Sequence, residues 1–357
     1  MNNPQNVVVA MSGGVDSSVA AALLVRQGYR VTGMMLRLWS ETGQEESNRC
    51  CTPDAMAQAR RVSARLGIPF YAIDAKDTFR SKVVQYFLDG YEKGITPNPC
   101  LVCNRHIRWG FLMQHAREFG ADFLATGHYA RLRSTETGQQ ELLTGIDANK
   151  DQSYVLSGLS QAQLSRSMFP VGAYQKSEIR EIARETGLSV AERADSQDLC
   201  FVGDRNIRRF LSEHAPQVQQ PGPIRTRNGE TLGQHHGLAF YTIGQRKGLG
   251  VAAPEPLYVL EKDITQNTLI VGHAEELGRS SLTADSVNWV SGAAPDKPFR
   301  AQIKIRYKAE YAWGELSPVG EDRFRVEFDQ PLRDITPGQM VVVYLGEVCL
   351  GGGIIAA

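Results

Sequence analysis

Two groups of residues in this chain have the types and spacing to do chemistry. The first is Ser12-Gly13-Gly14-Val15-Asp16-Ser17-Ser18, which follows a short apolar run over 7–10 and opens a helical pattern over 17–27. Glycines let the chain turn tightly and bring backbone N–H groups up to a ligand. Those groups, a helix N-terminus and the serine hydroxyls together make an anion site. The loop has no lysine, whereas a Walker A loop uses one to grip the β- and γ-phosphates. Such a loop suits holding a pyrophosphate unit while the α-phosphorus is attacked. Asp16 could hold a Mg2+ that bridges the phosphates.

The second group is built from cysteines, which stand at 50, 51, 100, 103, 200 and 349. In a reducing compartment this spacing reads as catalytic or metal-binding rather than as a disulfide framework. In Thr96-Pro97-Asn98-Pro99-Cys100-Leu101-Val102-Cys103-Asn104 the prolines imply an extended loop, with helix only over 105–119. Cys103 then falls near a helix N-terminus, where the dipole and the basic Arg105, His106 and Arg108 favour a thiolate. Cys200 lies in Asp195-Ser196-Gln197-Asp198-Leu199-Cys200-Phe201. Cys349, in the strand-like Val348-Cys349-Leu350, reads as a small buried hydrophobe. Cys50 and Cys51 precede a helix and receive no role.

The elements that must position these residues alternate in the first half. Strand patterns at 31–36, 70–73 and 122–126 interleave with helical ones at 53–66, 76–91 and 105–119. That alternation implies a doubly wound α/β fold with a parallel sheet, whose ligands collect beyond the carboxyl ends of the strands. After about residue 205 the pattern turns to short segments rich in Gly and Pro. From about residue 281 only strand signals remain, at 299–307, 323–328 and 340–344, which suggests a small β-barrel or sandwich. The 357 residues suffice for two or three domains, and 42% hydrophobic with 22% charged residues is ordinary globular composition. Lys plus Arg balances Asp plus Glu at 39 each, so overall charge announces no nucleic-acid partner. No apolar run reaches the roughly 18 residues of a membrane helix, and the first residues are not a signal peptide. A cytoplasmic protein with no membrane partner is expected.

The glycine loop resembles the PP-loop of the ATP pyrophosphatase superfamily, which implies AMP and pyrophosphate as products. Further strings follow in order: RLGIPFY from Arg65, GITPNPCLVCN from Gly94, TGHYAR from Thr126, DANKDQSYVL from Asp147, DSQDLCF from Asp195, YTIGQRKGLG from Tyr241 and CLGGGII from Cys349. Together they resemble the tRNA-specific 2-thiouridylases (MnmA/TrmU) over essentially the whole chain. The resemblance implies that ATP adenylates the C2 oxygen of the wobble uridine, U34, in tRNAs for Lys, Glu and Gln, and that a persulfide then delivers sulfur. Cys200 matches the persulfide cysteine, and Cys103 the partner nucleophile that frees the sulfur by forming a disulfide with it. Ala10, Met11, Ser12, Gly13, Gly14, Val15, Asp16, Ser17, Leu36 and Gly127 match the ATP site. Asn98, Pro99 and Cys100 match the segment that meets the target base. Lys150, Asp151, Gln152, His128, Arg306, Tyr307 and Gln339 match tRNA contacts. The implied division is a PP-loop adenylation and thiolation domain over 1–205, a small central α+β domain contacting tRNA over 206–280, and a C-terminal β-barrel domain over 281–357. A sulfur donor such as a cysteine desulfurase or sulfur-relay protein is the further partner implied.

Some family members carry Asp where this chain has Cys100. Three thiolates, Cys100, Cys103 and Cys200, could instead hold a [4Fe-4S] cluster with one open iron. Other readings stay open: a PP-loop amidotransferase or ligase that delivers nitrogen, a non-catalytic RNA-binding protein, or structural use of the cysteines by iron or zinc. Arg205, Arg208, Arg209, Arg225, Arg227, Arg246 and Lys247 outnumber Glu213 and Glu230 over 205–250. The loop over 244–250, with Arg246 and Lys247, suits a mobile cover. Arg300, Lys304, Arg306 and Lys308 recur at even spacing, so on one strand all would face one way, a ribbon suited to phosphates.

Overall fold

In the computed structural model the described residues are 4–41, 52–193, 199–202 and 206–356. Cys50, Cys51, Asp195, Ser196, Gln197, Asp198 and Arg205 lie outside them. The chain opens with β1 (Asn6–Ala10), β2 (Arg30–Arg37), β3 (Phe70–Asp74) and β4 (Phe123–Thr126). A hairpin, β5 (Ala130–Ser134) and β6 (Gln140–Thr144), precedes the short β7 (Ser167–Met168). The five-stranded sheet runs β3-β2-β1-β4-β7, with every pairing parallel. Val7, Val8 and Val9 are all buried. A central parallel strand covered on both faces needs such an unbroken apolar run. The strand order diverges from β1, towards β2 on one side and β4 on the other, and a ligand crevice opens where it does.

Local chemistry sets the helices. Thr52 accepts the Ala55 N–H at 3.0 Å, Pro53 starts the helix Pro53–Leu66, and Gly67 at φ 68° ends it, as the sequence suggests. The helix expected over 105–119 differs. It begins at Pro99, runs on to Glu118 and is π-helical over Cys103–Leu112. Proline suits a first helical position, where no N–H is needed, so Pro99 starts the helix instead of delaying it. Asn98 caps it, its Oδ1 accepting the Cys100 N–H at 3.1 Å.

A smaller sheet follows, with β8 (Gly222–Thr226), β9 (Thr231–His235), β10 (Tyr258–Asp263) and β11 (Thr268–Gly272) in the order β10-β11-β8-β9. Ile224, Tyr241, Val259, Leu269 and Val271 form its core. The last strands are β12 (Arg279–Trp289), β13 (Phe299–Lys304), β14 (Ala312–Pro318), β15 (Phe324–Leu332), β16 (Met340–Leu345) and β17 (Val348–Ile355). They run β12-β15-β14-β13-β16-β17, and a β12–β17 pairing closes them into a barrel. The hairpin β5–β6 adds to this barrel through Val348 and Cys349 of β17 rather than to the parallel sheet. Arg131 and Arg133 fasten it by reaching Glu347 at 2.6 and 3.1 Å. No helix among the described residues is long and apolar enough to cross a membrane.

The basic ribbon does not form as expected. Strand β13 ends at Lys304, so Arg306 and Lys308 fall in the turn beyond it. Arg300 is held by Asp329 at 2.6 Å and Arg306 by Asp334 at 3.2 Å. Even spacing predicts a common face only while the backbone stays extended.

Candidate active site

The phosphate loop is packed tightly into the fold. Gly13 has φ 71°, and a Cβ there would lie 2.3 Å from the Ala55 carbonyl oxygen. Only glycine fits. Gly127, just beyond β4, would place a Cβ 2.6 Å from the Ser17 nitrogen, so the two loops of the crevice touch. Met11, Val15 and Ser17 are buried, Ala10 and Gly14 half-buried and Ser12 exposed. The Ser17 hydroxyl accepts the Ser12 N–H at 3.2 Å, and the Ser18 hydroxyl donates to the Gly14 carbonyl at 2.8 Å. Gly14, at the N-cap of Val15–Arg26, has no side chain to answer the first-turn N–H groups. A helix start of that kind presents them to an anion.

Asp16, in that first turn, is already engaged. The Tyr129 hydroxyl donates to its Oδ1 at 2.8 Å, and the Lys176 ammonium reaches the same oxygen at 2.6 Å. Lys176 Nζ also lies 5.7 Å from the Tyr129 ring centroid. Among the described residues, the only trio of His, Cys, Asp or Glu spaced for a metal ion is Glu41, Glu213 and His214, which does not include Asp16. Mg2+ at nucleotide sites is held by one or two carboxylates together with substrate phosphates and water. Asp16 can supply one such carboxylate to a metal that arrives with a nucleotide. Nothing in the sequence around Lys176 marks it as a partner of the glycine loop.

The thiols divide into two environments. Cys103 and Cys200, both half-buried, pack against the cluster formed by Phe87, Phe201, Phe210 and Ile107. Leu36, at the carboxyl end of β2, touches that same cluster and the core around Val8 and Leu124. Cys100 is exposed. It stands in the first turn of its helix, where Cys103 was expected, and so lies closer to the helix dipole. Burial raises the hydroxyl pKa values of Tyr154 and Tyr307, and a Cys100 thiolate nearby adds to both. Cys349 is fully buried, and that desolvation pushes its thiol well above the usual range.

The residues expected to touch tRNA fall into three groups. Arg306 is exposed, and Tyr307 is 37% exposed with its ring centroid 6.0 Å from that of Tyr154. Lys150 and Gln339 are half-buried, and Gln339 donates to the Thr96 carbonyl at 2.8 Å, tying the barrel to the loop before Asn98. Asp151, Gln152 and His128 are occupied inside the protein. Asp151 is buried and accepts the Gly145 and Ser153 N–H groups at 3.0 and 3.1 Å. Gln152 receives the Tyr129 N–H at 3.1 Å. His128 is buried between Arg108, 2.8 Å from Nε2, and Thr126, 2.7 Å from Nδ1. Arg108 can only donate, so Nε2 accepts and the proton sits on Nδ1. Burial and the Arg108 charge hold the imidazole pKa well below its usual value. Arg108 also donates to Asn104, four residues back on its own helix, at 2.8 Å, and its bond to His128 ties that helix to the end of β4.

Three family models tile the chain: a "tRNA methyl transferase HUP domain" over 5–204, a "tRNA methyl transferase PRC-barrel domain" over 208–273 and an "aminomethyltransferase beta-barrel domain" over 279–355. A tRNA-specific 2-thiouridylase of Symbiobacterium thermophilum is 46% identical, covering 98% of this chain and 92% of its own. One from Heliobacterium modesticaldum is 47% identical with the same coverage. Among solved structures, a 4-thiouridine synthetase in an RNA complex with bound ATP aligns at 17% identity over 60% of this chain and 51% of that one, with a TM-score of 0.38, too low to carry weight. The domain models' descriptions mention methyl transfer, whereas the relatives matched along nearly the full length are thiouridylases. The chain belongs to the tRNA-specific 2-thiouridylase family.

Proposed function

We propose that the protein 2-thiolates the wobble uridine, U34, of tRNAs for Lys, Glu and Gln at the expense of ATP. The observation that carries this reading is that Cys103 and Cys200 both pack against one aromatic cluster, which Leu36 joins to the strand ends of the phosphate crevice. ATP lies on the backbone of Ala10–Ser17, with Leu36 and Gly127 beside it. The uridine C2 oxygen attacks the α-phosphorus, the bond from that phosphorus to its bridging oxygen breaks, and pyrophosphate leaves with the electron pair. Adenylation gives C2 a good leaving group, which an amide-like carbonyl lacks.

Sulfur comes from a persulfide on Cys200. Its outer sulfur bonds to C2, and AMP departs with the electrons of the C2–O bond. The Cys103 thiolate then attacks the Cys200 sulfur. The bond to the outer sulfur breaks, leaving that sulfur and its electron pair on the base, and a Cys103–Cys200 disulfide forms. A cysteine desulfurase or relay protein reloads the persulfide after a dithiol reductant reopens the disulfide. Asn98, Pro99 and Cys100 receive the base, which is flipped from an anticodon loop where unstacking costs little. Lys150, Arg306, Tyr307 and Gln339 serve the tRNA directly, while Asp151, Gln152 and His128 hold the surface that does so.

A cluster with three thiolates would need them to converge. Cys103 and Cys200 pack against one aromatic cluster while Cys100 is exposed, which supports the two-thiol route. The test is mass spectrometry of anticodon nucleosides after incubation with tRNA, ATP and a persulfide donor. One oxygen-to-sulfur exchange at the wobble uridine, with pyrophosphate released, is expected. Unaltered nucleosides alongside an active donor would end the proposal.

A further inference from the structure

The glycine loop contains no lysine, yet the fold delivers one to it from far along the chain. Lys176 opens the helix Lys176–Glu185, and its own N–H is fixed by the Asp147 carboxylate at 3.0 Å. Asp147 is itself buried, so the base of the lysine is anchored in the core. The side chain is 12% exposed and ends 2.6 Å from Asp16 in the first turn of the loop's helix. A nearly buried ammonium needs an anionic partner, and Asp16 is one here. The pair holds a fixed cation where N–H groups already gather for an anion, which suits a phosphate.

We propose that Lys176 is the cation that meets the phosphates of the bound nucleotide, the task a Walker A lysine performs from within its own loop. The inference rests on the adenylation reading above. When the bond at the α-phosphorus breaks, negative charge gathers on the departing pyrophosphate, and a fixed ammonium beside the loop stabilises it. Asp16 holds the lysine in place, with Tyr129 orienting the carboxylate. Gln152 grips Tyr129 through both its N–H and its carbonyl, at 3.1 and 2.8 Å, so hydrogen bonds run from the 147–152 segment through Tyr129 to the Asp16 carboxylate and the lysine.

The test compares wild type with Lys176→Met for binding of ATP, the non-cleavable analogue AMP-CPP and adenosine, and for pyrophosphate release in a single turnover with tRNA. A lost charge-assisted contact should weaken ATP and AMP-CPP by roughly 10- to 100-fold and leave adenosine unchanged. Equal losses for all three ligands, or none, would overturn the assignment, since a purely structural lysine does not distinguish phosphates. A second readout needs no variant to fold. In the wild-type protein, ATP should slow acetylation of Lys176 by acetic anhydride while adenosine does not, and equal protection by both would overturn it too. Wild-type protein that releases no pyrophosphate with tRNA would remove the adenylation reading itself. A wild type that does release it, beside an indistinguishable Lys176→Met, would remove only the role of the lysine.

Discussion

The phosphate loop and the thiol site solve the same problem, holding reactive groups in place, in opposite ways. The loop is one continuous stretch, locked by Gly13, which no other residue could replace, and by hydroxyls bonded within the stretch. The thiol site is assembled from the helix that starts at Pro99, the segment around Cys200 and the barrel turn that reaches Thr96. Its members are half-buried or exposed. Binding a phosphate demands fixed donors, whereas the proposed closing of a disulfide between two thiols demands that at least one of them move. Rigidity in the first region and a shared, adaptable apolar bed in the second fit those demands.

The sharpest way to break this comparison is to separate the two steps. Asp16→Ala should abolish pyrophosphate release, because it removes the carboxylate that positions the Lys176 ammonium beside the loop. Cys200→Ser should leave pyrophosphate release near wild type and lower thiolation by about 10³-fold or more, as loss of a nucleophile does. Parallel assays of pyrophosphate and of 2-thiouridine on each variant would read this. Equal loss of both in Cys200→Ser would mean that the cysteine serves structure.

A smaller effect tests rigidity. Gly13→Ala should destabilise the N-terminal domain by roughly 2–4 kcal/mol, because the new methyl meets the Ala55 carbonyl at a left-handed backbone angle. Ala at Cys100 should shift melting by far less. Thermal unfolding of the two variants decides, and equal shifts would erase the contrast between the regions.

The smallest effect concerns pH. His128 is neutral in the folded protein because burial, aided by Arg108, lowers its pKa. The unfolded chain takes up a proton near the ordinary value of 6.5 and the folded chain does not. Stability is therefore complete above that pH and falls as pH drops below it, by up to about 1.4 kcal/mol per unit. Urea midpoints from pH 7 to 5 should fall more steeply for wild type than for His128→Asn. Parallel slopes would show that the imidazole carries no such burden.

The glycine loop, the helix Pro53–Leu66 with its cap and terminal glycine, and the alternation that yields a parallel sheet were legible because each depends on neighbours within one turn. The cysteine helix starts earlier than its residues suggest for a local reason: Pro99, which reads as a barrier, serves as its first residue. The hairpin β5–β6 carried no sign that it would join a barrel formed from the far end of the chain, because an edge strand bonds through its backbone to whatever edge is presented. The burial of His128 and Asp151, the pairing of Arg300 with Asp329 and the arrival of Lys176 at Asp16 were equally silent. The sequence by itself determined which groups could bind phosphate and carry sulfur. Only the tertiary structure decided which charges are neutralised, which thiols share a bed and which lysine serves the loop, because those depend on distances between segments that local chemistry does not constrain.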